Sequence, residues 1–264
     1  MPSILDLAKS CEASYSNDPN LAGWIREVRY NPKASGFSGV LFFRETSTGD
    51  EAILAFRGTD GLLDHDMVSN INFVRGRMVR QYPDALAALR DASEKVGPQT
   101  DLYITGHSLG GGLAALCSVD KWRRGVRNIS TVTFNAPGVT RSARYLWGKG
   151  SVFYARDRVM NGLDAYYNTH RKALHVQTEN DPISHFGIPT IQRLLTVPDL
   201  ECHAAAQENV RYHYPDFKRS TYFRQSGTML LRQKTSTALC AHSISNLVKV
   251  LERDPIYQEP IEWS

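Results

Sequence analysis

No apolar run in this sequence is long enough to cross a membrane. A spanning helix needs roughly 20 apolar residues, whereas the longest runs, such as Gly39–Phe43, are the length of a strand. The first residues also lack the basic and then apolar segments of a signal peptide, because Asp6 and Glu12 interrupt them. We therefore expect a protein without a transmembrane segment or cleaved leader, either cytoplasmic or exported by a leaderless route.

Cysteine is scarce, and the charge is nearly balanced. Cys11, Cys117, Cys202 and Cys240 have no CxxC spacing, which argues against a zinc site. Cys11 and Cys117 continue the apolar stripes of predicted helices and are expected in the core, whereas pairing of Cys202 with Cys240 stays open. The net charge is +4, from 31 basic and 27 acidic residues, without a basic cluster interleaved with aromatics. No nucleic-acid partner is expected.

Composition and chain organisation indicate one folded domain. Apolar residues make up 42% and charged residues 22% of the 264 residues, and no repeat or linker divides residues 1–264. Ser3 is placed to cap a helix that reaches about Tyr15. Strands are predicted at Ala22–Tyr30, Phe37–Arg44 and Glu51–Phe56, and their short connections predict antiparallel pairing.

Strands and helices alternate along the rest of the chain. The pattern predicts a helix over about 84–96, then strand Leu102–Thr105, helix Leu109–Trp122, strands Ile129–Phe134 and Leu174–Gln177, and helix Ser243–Arg253. Such alternation is typical of an α/β fold with a mainly parallel central sheet flanked by helices. Functional residues in such sheets gather at the carboxyl ends of the strands.

The strongest motif is GxSxG, formed by Gly106, His107, Ser108, Leu109 and Gly110. It lies between a predicted strand and a predicted helix, as a nucleophile elbow requires. Glycines are needed on both sides of such a turn because side chains there would collide where strand and helix meet. Ser108 is therefore the predicted nucleophile, although a glycine-rich turn with Ser108 as a simple helix cap is the alternative.

A serine nucleophile needs a base and an acid that orients the base, in the chain order Ser, Asp/Glu, His. Asp181 follows the predicted strand Leu174–Gln177 and is the expected acid, with Glu179 as its rival. An ordinary turn role for Asp181, which precedes a proline, stays open.

Four histidines follow Asp181, namely His185, His203, His213 and His242. His185 is too close in sequence to approach from another loop. His242 precedes the last predicted helix, where a loop could present its imidazole to Ser108. We therefore predict His242 as the base, with His203 and His213 as the alternatives.

An oxyanion hole needs two hydrogen-bond donors that face the developing negative charge. The Leu109 N–H, directly after the nucleophile, is the first candidate. Thr59, in the turn after strand Glu51–Phe56, offers a backbone amide and a hydroxyl. That turn could equally be a simple strand end.

Several blocks in this sequence resemble the fungal-type class 3 lipases and their bacterial relatives. They are LAFRGTD at Leu54–Asp60, DMVSNINF at Asp66–Phe73, ITGHSLGGGLAAL at Ile104–Leu116, TFNAPGV at Thr133–Val139 and ENDPISH at Glu179–His185. The resemblance implies an α/β-hydrolase fold without metal or organic cofactor, and hydrolysis of acyl esters by Ser108, Asp181 and His242. It also implies an oxyanion hole made by Thr59 and the Leu109 amide.

Two regions of this sequence depart from the pattern of the family. The family's lid would correspond to about 61–73, but the GRMVRQYPDAL run at Gly76–Leu86 lacks the family's His-x-Gly-Phe segment. The stretch 140–172 looks longer than the family's connection and is a candidate cap or insertion.

The sequence thus predicts a serine carboxylic-ester hydrolase acting on lipids, a lipase or phospholipase, with neutral lipid and phospholipid both open as substrates at a lipid surface. Alternatives are a thioesterase, a small-ester esterase or a non-catalytic lipase-like binding protein. A bacterial phospholipase effector, neutralised by an immunity protein, is a further hypothesis.

Overall fold

The computed structural model describes residues 1–59, 67–125, 129–147, 172–178, 181, 183–184, 194–197 and 242–263. The helices in these ranges are α1 (Ile4–Ala13), α2 (Met67–Val96), α3 (Leu109–Arg123), α4 (Thr140–Trp147) and α5 (Ile244–Arg253). The strands are β1 (Ile25–Tyr30), β2 (Gly39–Arg44), β3 (Glu51–Phe56), β4 (Asp101–His107), β5 (Ser130–Phe134), β6 (Ala173–Thr178) and β7 (Leu194–Val197). The 3₁₀ turn Pro255–Gln258 follows α5.

The strands form one mixed sheet in the order of the sequence, β1 to β7. The pairs β1–β2 and β2–β3 are antiparallel, as their short connections predict. From β3 onward the neighbours are parallel, so the prediction of a mainly parallel sheet flanked by helices is confirmed. In the register, Phe56 lies beside Gly106, and His107 lies beside Phe134. The residues that follow β3, β4, β5 and β6 therefore share one edge of the sheet.

Alternating side chains on the strands build two apolar layers. One face carries Leu41, Leu54, Phe56 and Ile104, which pack under α2, α3 and α4. The other carries Phe42, Ile53, Tyr103, Val132 and Phe134, which pack under α1 and α5. Burial of one such side chain stabilises the fold by about 1.5–3 kcal/mol. The two layers hold the sheet in place, together with the edge that is formed by the residues after β3, β4, β5 and β6.

Helix α1 begins as predicted. The Ser3 hydroxyl accepts a hydrogen bond from the Asp6 N–H at 3.0 Å, and the Ser3 N–H donates to the Asp6 carboxylate at 3.1 Å. This reciprocal capping box satisfies two backbone donors that a helix start leaves unpaired. The buried side chains of α1 include Cys11, which confirms its core position. Cys117 is buried too, whereas Cys202 and Cys240 lie outside the described residues.

Helix α2 differs from the sequence prediction because it begins at Met67 rather than near residue 84. Pro83 lies inside it, and a proline interrupts the hydrogen bonds of a helix interior. Met78 and Tyr82 are nevertheless buried in the turns before Pro83, and Tyr82 makes an edge contact with the Trp147 ring. Tertiary packing of these side chains explains the longer helix.

Strand β7 was not expected from the sequence.

The candidate insertion 140–172 begins with helix α4, and its residues 148–171 lie outside the described part of the chain. The candidate lid likewise falls partly outside it, since residues 60–66 are not described and 67–73 form the first turns of α2. Among the described helices, none is both long and apolar enough to cross a membrane.

Candidate active site

Ser108 lies in a tight turn between β4 and α3. Its backbone angles are φ 56° and ψ −125°, in a region that a residue with a side chain adopts only under strain. The Ser108 N–H donates to the Phe134 carbonyl at 2.9 Å, and the Ser108 carbonyl accepts from the Gly112 N–H at 3.1 Å. Strand and helix thus hold the strained turn from both sides, which is the geometry of a nucleophile elbow.

The glycines around Ser108 are required by close backbone contacts. A Cβ on Gly106 would lie 2.3 Å from the Gly110 carbonyl carbon, and one on Gly110 would lie 2.1 Å from the Phe56 carbonyl oxygen. A Cβ on Gly111 would lie 2.6 Å from the Cβ of Ala136. The predicted reason for glycine on both sides of Ser108 is therefore correct.

Asp181 and His242 form a buried pair at the edge of the sheet where β3, β4, β5 and β6 end. The His242 Nδ1 lies 2.7 Å from the Asp181 Oδ1. A carboxylate accepts, so Nδ1–H donates and Nε2 is left as the nitrogen that can take a proton. Burial alone would raise the pKa of Asp181, but the His242 ring and hydrogen bonds from His242 and Ser184 hold it below its ordinary value. Asp181 is thus the ionised partner that a histidine base needs.

The His242 ring reaches the elbow, since its centroid lies 4.7 Å from that of His107, the residue before Ser108. In the part of the chain that the structure describes, the Ser108 hydroxyl makes no hydrogen bond to His242. The rival residues Glu179, His185, His203 and His213 lie outside the described part of the chain.

Both predicted oxyanion donors lie beside the elbow. Gly110 packs directly against Phe56 and Arg57, so the turn that leads to Thr59 contacts the start of α3. The Thr59 hydroxyl oxygen is buried and has no partner among the residues described. Leu109 is the first residue of α3, where a backbone N–H has no acceptor within the helix. The predicted oxyanion donors therefore include a buried hydroxyl without a partner among the described residues and the first backbone N–H of α3.

Sequence reasoning overlooked Tyr15 and His107. The Tyr15 hydroxyl lies 2.9 Å from His107 Nδ1, and His107 Nε2 lies 2.6 Å from the His242 carbonyl oxygen. Burial, and next the neighbouring His242, lower the pKa of His107 to about 3, so the His107 ring is neutral at pH 7. The position of His107 inside the GxSxG motif could have indicated that it belongs to the site. Tyr15 belongs to no motif, so nothing in the sequence indicated it.

Asn135 was overlooked as well, although it lies in a block that resembles the lipases. It has a positive φ of 45°, and its side chain is fully buried. Its Oδ1 accepts from the Thr178 N–H at 2.7 Å, and its Nδ2 donates to the Thr178 hydroxyl at 3.1 Å. The Thr178 carbonyl in turn accepts from the Asp181 N–H at 3.1 Å. Asn135 therefore ties β5 to the strand end that leads to Asp181.

The sheet order and the strained serine turn define the chain as an α/β-hydrolase. A more specific placement comes from its sequence: residues 13–208 match the family described as phospholipase-like, Tle-like phospholipase domain. Since that range is well over half of the chain, the protein belongs to the Tle-like phospholipase domain family. This family agrees with the lipase or phospholipase class that the sequence predicts.

One curated relative is an extracellular phospholipase A1 of Serratia liquefaciens. It is 37% identical over 125 residues, which are 47% of this chain and 35% of that protein. The chain thus matches about a third of the length of this relative.

Solved lipases of low identity are also similar. Lipase II from Rhizopus niveus is 16% identical, with 69% of this chain and 72% of that chain covered and a TM-score of 0.46. A triacylglycerol lipase from Penicillium expansum is 14% identical, with 74% and 77% covered and a TM-score of 0.45. These scores are below 0.5, so the fold assignment rests on the sheet order and the elbow.

Proposed function

We propose that the protein hydrolyses a carboxylic ester of a phospholipid through an acyl-enzyme on Ser108. His242 takes the Ser108 proton as the serine oxygen attacks the ester carbonyl, and Asp181 stabilises the imidazolium that forms. Thr59 and the Leu109 N–H stabilise the oxyanion. The protonated His242 then gives its proton to the leaving alcohol, and water hydrolyses the acyl-enzyme through the same base.

The observation that supports this mechanism best is the hydrogen bond of 2.7 Å between His242 and Asp181, both buried beside the elbow. A buried carboxylate is costly unless hydrogen bonds replace its lost hydration, and His242 supplies one of the hydrogen bonds to Asp181. A histidine held by a carboxylate next to a strained serine is the arrangement that activates a weak hydroxyl nucleophile.

The family and the Serratia relative support a phospholipid substrate over a triacylglycerol. Within the family, we propose a bacterial-like member related to the fungal-type class 3 lipases, with one domain, a lid at about 61–73 and a cap or insertion at about 140–172. No nucleic acid is part of this proposal. Thioesters and small soluble esters are the alternative substrates that a substrate panel must include.

The test compares hydrolysis of defined phospholipid vesicles, triacylglycerol emulsions, acyl thioesters and short-chain esters. We expect phospholipid to be preferred, and Ser108→Ala to lower kcat by about 10⁴-fold or more, with an unchanged fold. A fluorophosphonate probe should label the wild type and not Ser108→Ala. Equal hydrolysis by a folded Ser108→Ala variant would overturn the proposal, and a preference for thioesters or short esters would replace its substrate.

The biological setting that we propose is attack on a bacterial membrane, with an immunity protein as inhibitor in the producing cell. Wild-type protein directed to the periplasm of a test bacterium should impair growth, whereas Ser108→Ala should not. Equal growth of cells that contain either protein in the periplasm would contradict this setting and leave the hydrolytic mechanism to the substrate panel.

A further inference from the structure

Three groups from distant parts of the chain, a partly buried tyrosine and two buried histidines, form a hydrogen-bonded series next to the elbow. Tyr15 follows the end of α1, His107 ends β4, and His242 precedes α5. The two contacts, of 2.9 Å and 2.6 Å, join the Tyr15 hydroxyl to His107 Nδ1 and His107 Nε2 to the His242 carbonyl. His107 and His242 are both buried.

The direction of these hydrogen bonds follows from chemistry. A carbonyl oxygen only accepts, so His107 Nε2 carries the proton and donates it to the His242 backbone. Because the ring is neutral, its Nδ1 has no proton and accepts one from the Tyr15 hydroxyl. Tyr15 thereby selects the tautomer in which His107 holds His242.

The site makes room for the Tyr15 hydroxyl by placing glycine at position 58. A Cβ on Gly58 would lie 2.1 Å from the Tyr15 oxygen and 2.7 Å from the His107 carbonyl oxygen. Gly58 precedes Thr59, the predicted oxyanion donor. The Tyr15 hydroxyl therefore lies between Gly58, in the turn that leads to Thr59, and the His107 ring.

We propose that His107 and Tyr15 are positioning residues for the base, an inference that rests on the proposed function. His242 is bound at two points: its Nδ1 by Asp181, and its backbone carbonyl by His107. With only the first contact, the ring could pivot about the carboxylate, and Nε2 would lose its alignment with the Ser108 hydroxyl. The second contact fixes the backbone from which the ring extends.

Three variants test this role, with one matched control. His107→Leu removes the donor to the His242 carbonyl at similar volume, His107→Gln retains an N–H that can reach it, and Tyr15→Phe removes one oxygen atom. The control, Thr105→Val, removes a different buried hydrogen bond between α1 and β4, in which Thr105 Oγ1 lies 3.2 Å from Cys11 Sγ. Thr105 is on the same strand as His107.

We expect His107→Leu to lower kcat by roughly 10- to 100-fold with little change in KM, since small misplacements of a catalytic group have effects of this size. His107→Gln should recover most of the loss, Tyr15→Phe should lie between the two, and Thr105→Val should stay close to wild type. The low-field NMR resonance of the His242 Nδ1 proton bound to Asp181 should broaden or vanish in His107→Leu and persist in His107→Gln.

A folded His107→Leu variant with wild-type kcat and an intact low-field resonance would overturn the proposal, as would an equal loss in Thr105→Val. If His107→Leu does not fold, Tyr15→Phe decides by the same two readouts. A wild type without Ser108-dependent hydrolysis would disprove the proposed function instead, and the NMR comparison would still test whether His107 positions His242.

Discussion

The serine elbow and the Asp181–His242 pair lie side by side at one edge of the sheet, but they depend on different kinds of structure. The elbow consists of consecutive residues, Gly106–Gly110, and its shape follows from backbone contacts that exclude side chains. Asp181 and His242 come from separate segments, and each is held by a residue from elsewhere: Asn135 ties down the strand end before Asp181, and His107 holds the His242 backbone. A motif can therefore specify the nucleophile, whereas its partners depend on buried polar contacts between distant residues.

The largest expected effect comes from breaking the pair itself. Asp181→Asn keeps the size of the side chain but removes its charge, and the amide no longer selects the histidine tautomer with a free Nε2. We expect kcat to fall by about 10⁴-fold while the fold is retained. Steady-state kinetics on phospholipid vesicles measure the effect, with circular dichroism as the control for folding. A loss of less than tenfold would contradict the assignment of Asp181 as the acid.

Gly110→Ala tests whether steric contacts require glycine in the elbow. The added Cβ would lie 2.1 Å from the Phe56 carbonyl oxygen, a backbone atom that cannot move aside cheaply. We expect the free energy of unfolding to fall by about 3 kcal/mol. Gly76→Ala is the matched control: nothing in the described part of the chain lies within 4 Å of its added Cβ, so urea unfolding should show a gain of about 0.5–1 kcal/mol. Equal stability of the two variants would refute the steric explanation.

The pH dependence of stability tests the lowered pKa of His107. Burial, and next the neighbouring His242, lower the pKa of His107 to about 3, whereas an unfolded histidine has a pKa of about 6.5. Below pH 6.5 the unfolded chain binds a proton that the folded chain refuses, so stability falls as the pH drops toward 3. The groups that face this ring are the Tyr15 hydroxyl, the His242 ring and carbonyl, and Asp181.

This proton should destabilise the fold by up to about 2 kcal/mol between pH 6.5 and pH 5. The lowered pKa of Asp181 adds its own loss only below about pH 4, where unfolded aspartates take up protons. The measurement is urea unfolding at both pH values for wild type and His107→Gln. The variant should be less sensitive to pH in this window, and identical slopes would show that His107 is not the group responsible.

The smallest expected effect concerns Asn135. Asn135→Gly fits the positive φ of 45° better but loses both hydrogen bonds to Thr178. We expect a net destabilisation of about 1 kcal/mol, because a buried backbone N–H left without a partner outweighs the relieved strain. Asn135→Ala should be less stable than Asn135→Gly, since it loses the same bonds and keeps the strain. Thermal unfolding ranks the two, and the reverse order would contradict the role of the positive φ.

Much of the fold was predictable because its signals are local. The Ser3 cap, the strand limits near Tyr30, Arg44 and Phe56, and the strand–turn–helix around Ser108 all follow from short-range patterns, and the structure contains them. Helix α2 was predicted too short because Pro83 is a local stop signal that the burial of Met78 and Tyr82 overrides.

The site was predictable to a different degree. The structure joins Asp181 to His242, the pair chosen from the sequence, yet their catalytic roles stay predictions, as do those of Thr59 and Leu109. Tyr15 could not be found, since no residue type or spacing links it to His107. The positive φ of Asn135 was equally hidden, because asparagine also occurs in ordinary loops.

The sequence by itself determined the tight turn that presents Ser108, the predicted nucleophile, since glycine at 106 and 110 is a steric requirement of that turn. It also determined a mainly parallel sheet, through apolar strands that alternate with amphipathic helices. Only the tertiary structure decided how His242 is held, by Asp181 at its ring and by His107 at its backbone. Hydrogen bonds between residues so far apart in the chain depend on how the elements pack, and no local pattern records that packing.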